Sequence, residues 1–143
     1  MARILRVAAA QSGPIQKEES REAVVVRLLE LMKEASANGC DLVVFTELAL
    51  TTFFPRYFEE DRTRMDGWFE SEMPNPQVQP LFDYAKKHGI GFTLGYAEKT
   101  PEGRHFNTSI LVNQSGTTVG KYRKVHLPGH AELEPERDRK SVG

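Results

Sequence analysis

The sequence contains little of several features that would point to a particular class of protein. Its 143 residues include one cysteine, Cys40, which excludes an intramolecular disulfide and any metal site built from several cysteines. No apolar run approaches the roughly 18 residues of a membrane-spanning helix. The formal net charge is only -1, so no overall bias favours nucleic acid or an anionic membrane surface. We therefore expect a soluble, cytoplasmic protein with neither nucleic-acid nor membrane partners.

What is present is the pattern of a layered α/β protein. Residues 20–38 carry apolar side chains at the spacing of one helical face, with Ser20 as N-cap and Asn38-Gly39 as stop signal. A second helix is predicted over residues 75–88, regular only after Gln79 because Pro80 has no amide proton. Strands are predicted at residues 4–10, 42–45, 90–97, 106–112 and 117–126, with a hairpin turn at 113–116.

For two of these strands the sequence also predicts burial or an interruption. The run at residues 42–45 is continuously apolar, which is typical of a strand buried on both faces. The strand at 90–97 contains Gly91 and Gly95, which we expect to interrupt it. Between the second strand and the second helix, residues 48–73 lack periodicity and predict a long loop with one helical turn near 66–69. No segment is left to cover the second face of the sheet.

The ends of two strands carry the residues of greatest chemical interest. Glu47 follows the second strand, where open α/β sheets gather functional groups, and partial desolvation there would raise its pKa toward that of a general base. Strand alternation places Tyr122, Lys124 and His126 on one face of the last strand, and Lys124 could stabilise an oxyanion there. A solvated loop glutamate and a surface lysine are the alternatives, and the pattern alone favours them.

Other candidates are weaker. Cys40 follows a helix C-terminus and precedes Asp41, a setting that disfavours a thiolate, so we interpret it as a small buried apolar residue. The four histidines show no metal-ligand spacing, and no glycine-rich phosphate loop is present. We therefore expect neither a metal nor a nucleotide.

Two segments resemble signature motifs of the nitrilase superfamily of carbon–nitrogen hydrolases. They are residues 45–56, FTELALTTFFPR, and residues 120–130, GKYRKVHLPGH. Six further segments make the chain most similar to the N-carbamoyl-D-amino-acid amidohydrolase branch: residues 10–14, 24–29, 72–74, 89–92, 94–98 and 106–112. One departure is Thr46, where the family usually has proline before the glutamate.

The resemblance implies a nitrilase-like α-β-β-α sandwich, of which this chain would be roughly the N-terminal half. Residues 1–133 would form the partial domain, and 134–143 a charged tail that is disordered or non-native. Glu47 and Lys124 would be two members of a cofactor-free Glu-Lys-Cys triad, with His126 and Asn107 in supporting roles. The nucleophilic cysteine of that triad has no counterpart here, so the chain itself is expected to be inactive.

The resemblance also implies a substrate and a partner. The full-length parent would be a homo-oligomer that hydrolyses a small N-carbamoyl-D-amino acid to the D-amino acid, ammonia and carbon dioxide. Two alternatives stay open. One is another amidase of the same superfamily, and the other is a non-catalytic interaction module that uses its uncovered sheet face.

Overall fold

The computed structural model describes residues 4–57 and 60–126, and within them the chain forms one mixed sheet and three α-helices. The sheet has five strands in the order β1-β2-β3-β4-β5. Strands β1, β2 and β3 are parallel, whereas β3, β4 and β5 are antiparallel. The strands are β1 Val7–Ala10, β2 Leu42–Phe45, β3 Gly91–Lys99, β4 His105–Val112 and β5 Thr118–Arg123. The helices are α1 Arg21–Ala37, α2 Arg62–Asp66 and α3 Gln79–His88, with a 3-10 turn at Phe54–Arg56.

The first helix begins and ends where its sequence signals place it. The Ser20 side chain accepts a hydrogen bond from the amide of Ala23, which satisfies one of the free N–H groups of the first turn. Asn38 caps the other end, and Gly39 takes the left-handed conformation with φ 70°. The predicted helix is therefore confirmed.

The third helix starts at Gln79, as the position of Pro80 predicts, and it ends before Gly89 with φ 66°. It packs against α1, and both helices cover the same face of the sheet. Leu28 of α1, Leu81 of α3 and Phe92 of β3 are all fully buried in this layer. The hydrophobic core thus lies between the two helices and one face of the sheet.

The face opposite α1 and α3, which we call the open face, is covered at the end where β3 finishes: Leu48 and Phe54 pack on Ala97, and Asp66 of α2 binds Lys99 and His105. The expectation that nothing covers this face is therefore wrong for that end, and the uncovered part lies toward the start of β3. The strand register aligns Val44, Thr93 and Leu111 across it, and Val44 and Leu111 are 38% and 40% exposed. The expectation that β2 is buried on both faces is therefore wrong. Val43 and Phe45 point into the helical layer, but Val44 has no second layer to pack against.

Several predicted boundaries also shift. Strand β1 starts at Val7 rather than residue 4, and β5 ends at Arg123 rather than 126. Strand β3 runs unbroken through Gly91 and Gly95 to Lys99, so the expected interruption is wrong. Both glycines keep their places in the hydrogen-bonded ladders, where a missing side chain does not prevent pairing.

The loop of residues 48–73 holds more structure than predicted. Its helix, α2, lies at Arg62–Asp66, just before the turn expected at 66–69, and Glu70 pairs with Glu98 at the edge of the sheet. The hairpin turn is confirmed, because the Asn113 side chain accepts hydrogen bonds from the amides of Ser115 and Thr117. Next to this turn, the register between β4 and β5 shifts at Leu111/Val112.

Two further expectations concern the C-terminal tail and the absence of a membrane-spanning helix. The charged tail predicted at residues 134–143 lies outside the described residues, and so does the boundary at 133. Among the helices of residues 4–57 and 60–126, none combines the length and apolar character needed to cross a bilayer.

Candidate active site

Strand directions bring Glu47 and Lys124 to the same edge of the sheet. Strand β2 is parallel to β3, and two antiparallel steps make β5 parallel to both. Glu47 comes two residues after the end of β2, and Lys124 comes directly after the end of β5. Asn107, near the start of the oppositely directed β4, lies between them. Residues 77 positions apart in sequence therefore meet in space.

The three side chains form one hydrogen-bonded cluster. Lys124 Nζ donates to Glu47 Oε1 at 2.7 Å, and Asn107 Nδ2 donates to the same oxygen at 2.6 Å. The amide of Lys124 donates to the carbonyl of Asn107 at 2.8 Å, which holds the lysine beside β4. No hydrogen bond within the described part of the chain reaches Glu47 Oε2. Two donors from the described residues thus anchor one oxygen of the carboxylate.

The cluster is accessible to solvent and charged. The Glu47 side chain is 52% exposed and that of Lys124 is 35% exposed. The Lys124 hydrogen bond lowers the pKa of Glu47; burial acts in the opposite direction, and the Asn107 bond adds to the lowering. The expectation of a raised pKa is therefore wrong, because the cation at 2.7 Å stabilises the carboxylate more than desolvation destabilises it.

The backbone around Glu47 is set by the turn that follows β2. Leu48 has a φ of 49°, which is uncommon for a non-glycine residue. Its side chain is buried in a small cluster with Phe54 and Ala97, and the next amide, that of Ala49, donates to the carbonyl of Gly95 at 2.9 Å. The chain leaving β2 therefore lies against β3, and this carries Glu47 toward Asn107.

The other residues singled out in the sequence lie apart from this cluster. His126 is exposed, and it makes none of the described contacts of Glu47 or Lys124. Cys40 is half-buried at the edge of the core and precedes β2, whereas Glu47 follows that strand. Since each strand residue advances about 3.3 Å, the four residues of β2 alone separate the two positions by roughly 13 Å. Cys40 is therefore out of reach of Glu47.

A second charged cluster on the helix-covered face was not anticipated from the sequence. Arg123 Nη2 donates to Glu98 Oε1 at 2.8 Å, Thr108 Oγ1 donates to Oε2 at 2.6 Å, and Lys121 also binds Oε1. Burial would raise the pKa of Glu98, but the bonds from Arg123, Lys121 and Thr108 outweigh it and lower the pKa to about 2. The alternation predicted for the last strand is confirmed by these contacts, since Lys121 and Arg123 face Glu98 while Lys124 faces Glu47.

Within residues 4–57 and 60–126, no group of three histidine, cysteine, aspartate or glutamate side chains is placed to hold a metal ion. The chemistry that the cluster can carry is proton transfer at Glu47 and stabilisation of negative charge by Lys124.

Comparison with known sequences places the chain among hydrolases. The family described as Carbon-nitrogen hydrolase matches residues 6–142. An aliphatic nitrilase of Rhodococcus rhodochrous is 28% identical over 143 residues, covering 89% of this chain and 36% of that protein. Omega-amidase NIT2 of Homo sapiens is 27% identical over 103 residues, covering 72% of this chain and 34% of the relative. The chain thus spans about a third of the length of these curated relatives.

Solved structures share the fold. An N-terminal amidase superposes with a TM-score of 0.70 at 22% identity, covering 91% of this chain and 29% of that one. A carbon-nitrogen hydrolase from Helicobacter pylori G27 superposes with a TM-score of 0.72 at 20% identity, covering 90% of this chain and 42% of that one. The expected nitrilase-like α/β fold is therefore confirmed, here as a partial domain with a five-stranded sheet in the described residues.

Proposed function

The chain belongs to the carbon–nitrogen hydrolase family, and on that premise we propose that Glu47 and Lys124 are the proton-transfer and oxyanion-binding groups of its active site. The observation that carries this proposal is the contact at 2.7 Å between Lys124 Nζ and Glu47 Oε1. It joins a carboxylate and an ammonium at the edge of the sheet where β2 and β5 end. Asn107 orients the carboxylate through its own bond to Oε1.

The lowered pKa of Glu47 fits a proton acceptor that is ionised in the resting state. When a thiol attacks the substrate carbonyl, its proton passes to Glu47 and negative charge develops on the carbonyl oxygen. Lys124 then interacts with that oxygen instead of with Glu47. Because the stabilisation of the carboxylate by Lys124 weakens at that moment, the proton affinity of Glu47 rises as the proton arrives. The carbon–nitrogen bond then breaks, and Glu47 returns the proton to the departing nitrogen. Water next attacks the acyl group on sulfur, Glu47 takes a proton from that water, and the sulfur leaves and regains a proton from Glu47.

The nucleophile in this proposal is a thiol from outside the 143 residues. Cys40 is the one cysteine of the sequence, and it lies at the other end of β2 from Glu47. Without an acyl acceptor on the protein, the base and the oxyanion group have no covalent intermediate to form. We therefore expect the 143-residue chain to be inactive, and hydrolysis to require a longer product of the same gene.

For the substrate we propose an N-carbamoyl-D-amino acid, which would give the D-amino acid, ammonia and carbon dioxide. The support is the resemblance to that branch of the six further segments, residues 10–14, 24–29, 72–74, 89–92, 94–98 and 106–112, taken together with the two signature segments. A second candidate is another amidase of the family, favoured by the similarity to a nitrilase and an omega-amidase. For either substrate we propose a soluble homo-oligomer in the cytoplasm. Its reaction would need no cofactor.

The test measures ammonia release from N-carbamoyl-D-phenylglycine, a short aliphatic amide and a short aliphatic nitrile. The 143-residue chain and the longest protein encoded by the same reading frame are assayed side by side. The chain should release none, and the longer product should hydrolyse the carbamoyl compound fastest. Preference for the amide would favour the second candidate. Turnover by the chain alone would contradict the external nucleophile.

The roles of the two residues are tested by E47Q and K124M in whichever form is active. Each substitution should lower kcat/KM by roughly 10²–10⁴-fold, the usual cost of losing a positioned base or oxyanion donor. The matched controls are E102Q and K87M, since both residues are exposed and lie in a turn and on α3, away from Glu47. Retention of activity by E47Q would rule out the proposed base.

A further inference from the structure

Gly95 lies in the middle of β3 on the open face, directly beneath the chain that leaves β2. A Cβ atom built at this position would be 3.0 Å from the amide nitrogen of Leu48 and 3.2 Å from the Cα of Glu47. The carbonyl oxygen of Thr46 would lie at 3.2 Å. All three neighbours are backbone atoms, so none can turn aside as the end of a flexible side chain would. A glycine within a strand marks such a close approach of another backbone.

From this contact we infer that Gly95 is a positioning residue for Glu47, an inference that rests on the function proposed above. The absence of a side chain lets residues 46–49 lie on β3, where the amide of Ala49 bonds to the Gly95 carbonyl. Gly95 pairs with Ser109 of β4, two residues from Asn107 on the same face. The closeness of the backbones thus determines how far the Glu47 carboxylate reaches toward β4.

Any side chain at residue 95 would press this segment outward by a few tenths of an ångström. Lys124 is held to β4 by its own backbone bond to Asn107, and so it would not move with Glu47. The two contacts of Glu47 Oε1, at 2.6 and 2.7 Å, would both lengthen. The carboxylate would then lose the interactions that lower its pKa.

The sheet supplies two matched controls. Gly91 lies four residues earlier on the same strand, and a Cβ there would be 2.9 Å from the carbonyl oxygen of Val112. G91A therefore imposes a closer contact than G95A, but against β4 rather than Glu47. Gly120 lies on β5, where a Cβ would make ordinary contact at 3.5 Å with Leu111, so G120A is a mild control.

The experiment follows the titration of Glu47 by NMR of its side-chain carboxyl carbon in the full 143-residue chain. In G95A the pKa of Glu47 should rise toward that of a solvated glutamate, whereas G91A and G120A should leave it as in the unsubstituted protein. A purely structural glycine would lower stability in G91A and G95A alike without moving this titration. A folded G95A with an unshifted Glu47 pKa would overturn the inference.

A second measurement covers the case in which G95A does not fold. In the unsubstituted protein, nuclear Overhauser effects should connect the α-protons of Gly95 with the amide proton of Leu48 and the α-proton of Glu47. Their absence would also overturn the inference. Neither readout depends on catalysis: if E47Q keeps full activity while G95A shifts the pKa, the proposed function fails and the positioning role stands.

Discussion

On the helix-covered face of the sheet, Glu98 is 10% exposed and three side chains donate to its two oxygens. On the open face, Glu47 is 52% exposed, and the two described donors share one oxygen. The first carboxylate has its hydrogen-bonding capacity filled and is removed from solvent, which is typical of a structural ion pair. The second combines one anchored oxygen with access to solvent, the combination that proton exchange requires.

The largest expected contrast between the two faces is in packing. F92A removes a fully buried ring that contacts Phe45 and Phe82, and it should lower the free energy of unfolding by about 3–5 kcal/mol. L111A truncates a side chain 40% exposed on the open face and should cost less than about 1 kcal/mol. Urea unfolding measures both. An equal cost would mean that the open face is covered in solution.

The next contrast is between the two carboxylates. E98Q leaves Lys121 and Arg123 without their anionic partner and should destabilise the fold by about 2–3 kcal/mol, less than a fully buried pair because both cations are partly exposed. E47Q should change stability by no more than about 0.5 kcal/mol. Thermal unfolding at neutral pH compares them. A larger cost for E47Q would reverse the assignment of structural and functional roles.

The pH dependence of stability sharpens the same comparison. The fold lowers the pKa of Glu98 to about 2, so its ionised form stabilises the folded state above the usual carboxyl range. This contribution should decrease as the pH falls from about 4.5 toward 2. The stability difference between the unsubstituted chain and E98Q, followed by urea unfolding, should therefore shrink over that interval. A difference that stays constant would show that Glu98 acts through packing alone.

The smallest expected effect concerns which cation serves which carboxylate. K124M should raise the pKa of Glu47, because the principal cause of its lowering is removed. K121M is the matched control, since Lys121 is three residues away on β5 and binds Glu98. A carboxyl NMR titration compares the two variants. An equal shift in both would show that general charge, rather than the contact at 2.7 Å, controls Glu47.

Local signals in the sequence predicted much of the fold. The helix ends lie where the sequence predicts them, at Ser20, Gly39 and Gly89, because a cap or a left-handed glycine acts within one turn. The face alternation of residues 121–124 was also predicted, since it follows from the period of a strand. Burial of β2 on both faces was predicted wrongly, because apolarity does not reveal whether a second layer is present.

The site was predicted less completely, since it depends on pairing between distant segments. Glu47 and Lys124 were placed together by resemblance to a family, and the pattern alone favoured ordinary surface roles for both. The direction of the Glu47 pKa was missed because it depends on an ammonium group 77 residues away. The Glu98 cluster was missed for the same reason, as its partners come from β4 and β5. The sequence pattern predicts only that Gly95 interrupts its strand, although a glycine in a strand is itself a signal of close approach.

The shift of register at Leu111/Val112 determines which face of the sheet each cationic side chain at the end of β5 occupies. Val112 pairs with Thr118, but Leu111 pairs with Gly120, which leaves Val119 as the extra residue. Continued pairing without that shift would set Lys121 opposite Ser109 and Arg123 opposite Asn107. The guanidinium would then lie beside Glu47, and Glu98 would lose two of its donors. A single inserted residue therefore places the ammonium of Lys124 beside Glu47 and the guanidinium of Arg123 beside Glu98.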